Sequence, residues 1–153
     1  RGVNLKGANL KSVDLSEADL SGANLFKANL KGANLVGANL SNGKVMGVNL
    51  IGANMNGADL RGANLSGSDL QFAKLKQANL NGTNLNGADL RKANFFGADL
   101  QSSKLEWAKL RGTNLSEANL TDAIIKFEIY ENLDIAILCK TKTSSGEQNT
   151  DCK

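Results

Sequence analysis

Ala58-Asp59-Leu60-Arg61-Gly62-Ala63-Asn64-Leu65-Ser66-Gly67 states twice a rule that governs most of the chain. Every fifth residue from Leu5 to Ile125 is Leu, and only Val45, Met55, Phe95 and Ile125 replace it. The residue two before this centre is usually Ala, and its substitutes (Val3, Gly43, Ser68 and Thr83 among them) are small or β-branched. The residue one before is Asn or Asp in 20 of the 25 repeats. Two after the centre Gly is commonest, as at Gly7, Gly32, Gly62 and Gly97.

A period of five suits neither regular element. In a helix, at about 100° per residue, successive centres would drift by about 140°. In a straight strand side chains alternate faces, so an odd period points successive Leu side chains oppositely. Within one unit, however, Ala and Leu lie two apart and share a face. Both stay inward only if the chain turns once per unit, and Gly supports such turns. Turning repeatedly in one sense makes a coil with Leu and Ala inside and three residues outside. The axis is narrow, which explains the Ala, because a larger residue there would overpack it.

The motif, as in Ala8-Asn9-Leu10, Ala18-Asp19-Leu20, Ala63-Asn64-Leu65 and Ala98-Asp99-Leu100, resembles that of the pentapeptide-repeat family. The likeness covers residues 1–125, and repetition is the proper first reading of such a chain. It implies an all-β fold, a right-handed quadrilateral β-helix with four units per coil. Residues 1–125 then give about six coils and a rod of roughly 30 Å at about 4.8 Å per coil. Residues 126–153 are expected to form a C-terminal cap and polar tail.

The composition agrees. Apolar residues make up 41% of the 153 residues but aromatics only 5%, as a core of stacked Leu requires. The chain has no Pro, which would remove an amide needed between coils. It has no His, so the usual acid/base group at neutral pH is missing. No apolar run approaches the ~20 residues that span a bilayer. No nucleophile–base pair, phosphate loop or metal-ligand cluster stands out, so neither an enzyme nor a cofactor is expected.

The register breaks after Ile125 and resumes with a shift of three through Asn132-Leu133 and Ala136-Ile137-Leu138. Two readings stand: a distorted partial coil, or a short amphipathic helix presenting Phe127, Tyr130 and Leu133 or Ile137. Either covers an end that a solenoid must cap. Residues 140–153 read as polar loop. Cys139 and Cys152 fall outside the repeat, and a disulfide between them would stabilise by roughly 3 kcal/mol in the chain-entropy description. That pairing points to an oxidising compartment, which for this family means a thylakoid lumen, a periplasm or the exterior. The alternative is two thiols in a cytoplasmic protein. At the other end Val3, Leu5, Ala8 and Leu10 line a first coil without a visible cover; two readings stand, a segment preceding Arg1 that caps it or a second copy that meets it in an end-to-end homodimer.

Residues twenty apart should stack in columns. Asp19, Asn39, Asp59, Asn79, Asp99 and Asn119 form one, either an acidic strip or a backbone-bonded ladder that keeps like charges apart. Lys11, Lys31, Ile51, Gln71, Arg91 and Arg111 form another, read mainly as a solubilising face, so no nucleic acid is expected. Thr83 and Ser103 are interior hydroxyls expected to bond each other or nearby carbonyls. Among outward apolar residues Phe26, Met46 and Ile51 cluster and are the candidate partner-binding residues. Phe72, Phe96 and Trp107 are expected to point out singly. The expected function is a non-enzymatic scaffold or protein-interaction module, its partner an unidentified protein. The alternative comes from the family, some of whose members mimic duplex DNA toward DNA gyrase. With 14 Lys and Arg against 10 Asp and Glu over residues 1–125, the rod has the wrong sign for that role.

Overall fold

The computed structural model describes residues 1–126 and 139–148. Parallel bridges join the residue before each centre to its equivalent in the next coil, from Asn4↔Asn24 to Lys104↔Ile124. The partners lie 20 apart, so four five-residue units close a coil, and the architecture is a right-handed quadrilateral β-helix. Each face contributes one bridged residue per coil before the chain turns, so the long rod contains almost no extended strand. We number the faces by their bridged residues in chain order: Asn4 opens the first, Asn9 the second, Asp14 the third and Asp19 the fourth.

The unit around Leu60 shows why the repeat takes this form. The Leu60 amide donates to the Asn79 carbonyl of the next coil at 2.7 Å, and Gly62 donates to Asn81 at 3.0 Å. Asn64 donates back to Gly43 in the preceding coil at 2.9 Å, and Ala63 closes the turn onto the Leu60 carbonyl at 3.0 Å. The fifth amide, that of Arg61, donates to Asp59 Oδ1 at 3.1 Å. All five donors of the unit are thus paired, as amides beside a packed core must be. The last bond explains the Asn or Asp before each centre, whose side chain accepts from the backbone two residues on. Where Lys74 and Lys104 break that rule, the preceding coil compensates. Asn56 Oδ1 accepts from the Lys76 amide at 2.9 Å, and Asn86 Oδ1 accepts from Glu106 at 3.0 Å.

The turn also explains the glycines. Gly62 has φ of 63°, the left-handed region that a type II turn requires at its third residue. Equivalent positions without Gly, such as Lys27, Phe72 and Trp107, keep that conformation at φ of 55–62° and bear a cost of about 1–2 kcal/mol each.

Inward, Leu25, Leu30, Leu65 and their equivalents are fully buried beside the Ala column, and Phe95 fits the same axis at 0% exposure. Burial is incomplete at the ends: in the first coil Leu5, Leu10, Val13 and Leu15 are half-buried and Val3 is exposed, and in the last units Ala123 and Ile125 are half-buried. The interior hydroxyls follow one rule. Ser68, Thr83 and Thr113 donate to the Val45, Leu60 and Leu90 carbonyls at 2.6–2.8 Å. Thr83 therefore does not bond Ser103, and the buried Ser103 Oγ has no partner among the described residues.

At the far end the fourth face continues with a displaced register. Strand β1, Asn119–Leu120, pairs in parallel with β2, Thr141–Thr143, placing Lys142 beside Asn119. A strict repeat would place residue 139 there, so the shift of three is carried into the hydrogen bonding. Thr141 takes the buried interior site, and its hydroxyl donates to the Leu115 carbonyl at 2.7 Å. Strand β3, Gly146–Gln148, then folds back antiparallel on β2. These strands occupy part of the stretch expected to be loop, because the ladder recruits even a polar segment once Thr141 is anchored. The alternative of partial coil or helix over 127–138, and Cys152, lie outside the described residues.

Several carboxylates are held in their ionised form. Hydrogen bonds from the Ser16 backbone and hydroxyl lower the Asp14 pKa, and the Ser21 hydroxyl and Arg1 lower that of Asp19 far more. The Arg61 guanidinium lowers that of Asp59. For Asp89 partial burial acts in the opposite direction, but the Arg91 side chain and amide outweigh it and the pKa falls.

Two outcomes follow for stability. Thr83→Val should cost about 1 kcal/mol by removing a made hydrogen bond, whereas Ser103→Ala should be neutral or stabilising because it removes an unmade one; urea denaturation of the two variants checks the contrast. Because these Asp groups ionise at lower pH when folded than when unfolded, their contribution is complete above the unfolded value of about 3.9 and fades as pH falls through the folded values. The urea midpoint should therefore drop on acidification below about pH 4, and less steeply in Asp59→Asn/Asp89→Asn.

Candidate interaction face

The second face differs from the other three. Its bridged residues are Asn9, Asn29, Asn49, Asp69, Asp89 and Lys109. One border carries Lys6, Phe26, Met46 and Trp107, and the other carries Lys31, Ile51, Phe72, Lys92 and Arg111. The exposed large hydrophobic residues away from the rod's ends are Met46 at 38%, Phe72 at 53% and Trp107 at 55%, and all three border this face. The other two, Val3 and Ile124, belong to the first face in the first and last coils.

The expected cluster is distributed over both borders. Phe26 and Met46 occupy adjacent coils of one border, their carbonyls accepting from Gly7 and Lys27 at 2.9 and 3.0 Å. Ile51 lies on the other border, its carbonyl accepting from Gly32. Phe26 and Ile51 are half-buried. Phe26 is flanked by the Lys6 and Lys27 ammonium groups, 5.7 and 5.3 Å from its ring centre, so it presents a cation–π stack more than a bare apolar surface. Phe72 carries a similar cap, Lys92 Nζ at 5.3 Å. Phe96, expected to point out, is half-buried on the border between the third and fourth faces.

In the sequence Phe72 and Trp107 stand alone, far from any other outward apolar residue of their columns. The signal that joins them is in the sequence: at the turn position where Gly is commonest, the other substitutes are polar and only Phe72 and Trp107 among the described residues are apolar. A Cβ built on Gly87, one coil from Trp107, would meet nothing within 4 Å, so the indole does not lie over that turn.

Charge separates the second face from its opposite. With its borders it carries nine basic side chains, Lys126 included, and three acidic, whereas the fourth face with its borders, Lys140 and Lys142 included, carries five basic and six acidic. The three acids of the second face are already engaged. Asp89 pairs with Arg91 at 2.6 Å, Glu106 with Lys126 at 2.8 Å, and Asp69 accepts from Gln71 at 3.1 Å. Lys126 and Asn86 lower the Glu106 pKa, so it stays anionic. The acidic column of the fourth face is a backbone-bonded ladder: Asp19, Asp59 and Asp99 accept from the amides of Ser21, Arg61 and Gln101 at 3.1 Å. Among the described residues no group of three His, Cys, Asp or Glu side chains could hold a metal ion. Nor is any described helix long and apolar enough to cross a membrane.

Comparison with known proteins fits this geometry. The family model for pentapeptide repeats matches residues 4–42, 46–82, 74–112 and 98–127. A pentapeptide-repeat protein, Rfr23, from the cyanobacterium Cyanothece 51142 is 33% identical over 70% of this chain, with a TM-score of 0.52. The chain spans 65% of the length of that protein. HetL from Nostoc sp. strain PCC 7120, involved in heterocyst differentiation regulation, is 34% identical over 96% of this chain and 75% of its own, with a TM-score of 0.43. A pentapeptide-repeat protein of the Arabidopsis thaliana thylakoid lumen is 32% identical over 72% of this chain and 70% of its own, with a TM-score of 0.30. No curated protein sequence matches the chain. The five-residue hydrogen-bonding unit, its repetition over about six coils and the matching family model place the chain in the pentapeptide-repeat family.

Proposed function

We propose that this protein is a non-enzymatic docking rod and that its second face, with Phe26, Met46 and Ile51 at one end, is the surface that meets a protein partner. The observation that carries this reading is the placement of the exposed apolar side chains. Scattered singly they would need no explanation, but here they border one face out of four. A β-helix is suited to such a task. Its core fixes each outward side chain at steps of about 4.8 Å, so little order must be created on binding. Mimicry of duplex DNA toward gyrase fits less well, because it calls for an anionic rod and the most distinctive face here is basic.

The compartment reading rests on the cysteines. We propose that Cys139 and Cys152 are bridged and that the protein works where disulfides persist, in a thylakoid lumen, a periplasm or outside the cell.

Each part has its own check. A photo-crosslinking side chain at Met46 should capture a protein from an extract of the source organism, and the same group at Asn79 on the fourth face should not; equal capture from both would overturn the assignment of the face. Intact protein taken from its own compartment should show a mass about two hydrogens below the dithiol form, regained on reduction. Two alkylated thiols without reduction would remove the bridge and the compartment with it.

A further inference from the structure

We infer that the partner segment taken by the second face is an acidic stretch of polypeptide that also carries apolar side chains, received chiefly around Phe72, Lys92, Trp107, Lys109 and Arg111. The inference rests on the docking role of this face and adds the chemistry of what docks.

Three observations converge. The first is backbone strain. Phe72 and Trp107 have φ of 58° and 62° at a turn position where Gly is commonest and where the other substitutes, such as Ser12, Lys27, Gln77 and Glu117, are polar. A bulky residue there is strained, and each ring is more than half exposed. Neither turn formation nor core packing calls for them, and strain kept at an exposed site points to function. The second is charge. Lys92 Nζ lies 5.3 Å from the Phe72 ring centre, and Lys109 and Arg111 follow Trp107 across the same coil of the face with the basic excess, while the acids of that face are occupied by Arg91, Lys126 and Gln71. The third is an open donor. In the repeat the amide after each centre donates to an Asn or Asp side chain, but Lys44 and Lys109 replace that acceptor before Met46 and Arg111. Neither of those amides has a protein acceptor among the described residues, and both residues border this same face. An N–H beside a guanidinium suits a carboxylate, which only accepts.

The pattern favours a polypeptide over a nucleic acid. The basic border is interrupted by Ile51 and Gln71 between Lys31 and Arg91, and Asp69 and Asp89 stand on the face itself. A phosphate backbone would meet a gap of about three coil rises, roughly 14 Å, with carboxylates alongside it. A peptide with mixed acidic and apolar side chains meets Ile51 and Phe72 favourably across that gap. A second copy of this chain fits less well. Its acidic fourth face has Asp19 and Asp59 engaged by Arg1 and Arg61 and, among the described residues, presents no exposed large apolar residue.

The test is selection from a displayed library of short random peptides with the intact protein as bait, followed by fluorescence anisotropy of the best resynthesised peptide. Enriched sequences should combine Asp or Glu with Leu, Phe or Trp, bind more weakly as salt rises, and resist competition by single-stranded oligothymidylate. Phe72→Gly/Trp107→Gly and Lys92→Ser/Arg111→Ser should each weaken binding about tenfold or more. The Gly pair should melt no lower than the parent, because the turn is relaxed. Enrichment of basic or neutral peptides, effective competition by the oligonucleotide, or self-association as the only contact overturns the inference. Undiminished binding by the variants does the same, and a lower melting temperature in the Gly pair assigns the rings to folding instead. If selection fails while Met46 still crosslinks selectively, the acidic partner falls and the docking face stands; if both fail, the docking face falls too.

Discussion

Each coil is held to its neighbours by amides and carbonyls that repeat every five residues, and everything else in the molecule is arranged so that this ladder is never broken. The constraint reaches into the choice of side chain. Leu and Ala exclude water from the inner side of the ladder, and Asn or Asp receives the one amide that the ladder cannot use. Gly or a tolerated substitute turns the chain so that the next amide meets the next coil. Proline would delete a donor from any of these roles. In a unit such as that of Leu60 all five donors thus find partners while the chain rounds a corner.

Because the ladder fixes the interior, variation is free only outside, and the outside is where this rod becomes particular. Away from the second face the described outward residues are mostly hydroxyls, amides and charges, with Val36 and Phe96 half-buried between the third and fourth faces and Val3 and Ile124 exposed at the ends of the first. The second departs in several ways at once: cation-capped rings at Phe26 and Phe72, an exposed indole at Trp107, and a concentration of lysine and arginine. None of these side chains touches the core. Their presence costs solubility and some backbone strain, which is the pattern expected where a surface serves recognition instead of stability.

Most of the fold was legible in the chain. The spacing from Leu5 to Ile125 alone led to coils, inward Ala and Leu, and columns of residues twenty apart. The shift of three after Ile125 was also visible and reappears as the pairing of Asn119 with Lys142. What was hidden depended on contacts the spacing does not encode. Thr83 and Ser103 occupy equivalent interior sites, yet only one makes its hydrogen bond, a matter of side-chain rotation. The segment 141–148 looked like loop because its composition is polar, and its strand state comes from an edge offered by the last coil. The candidate face was half legible. Phe26, Met46 and Ile51 stand out by their outward positions, whereas Phe72 and Trp107 look solitary in the sequence because they lie on different columns that only the folded corner brings to one face.

The antiparallel return of Gly146–Gln148 gives the fourth face a polarity reversal. Up to Thr143 every strand segment on that face runs in one sense, so each coil is a copyable template for the next. After the reversal the outer edge presents donors and acceptors in the order and direction of an antiparallel strand. A further coil of the same chirality and sense cannot be laid on it in register. On this face the hairpin therefore works as a chain terminator for sheet growth, depriving a neighbouring rod of the parallel pattern it would need to continue the helix.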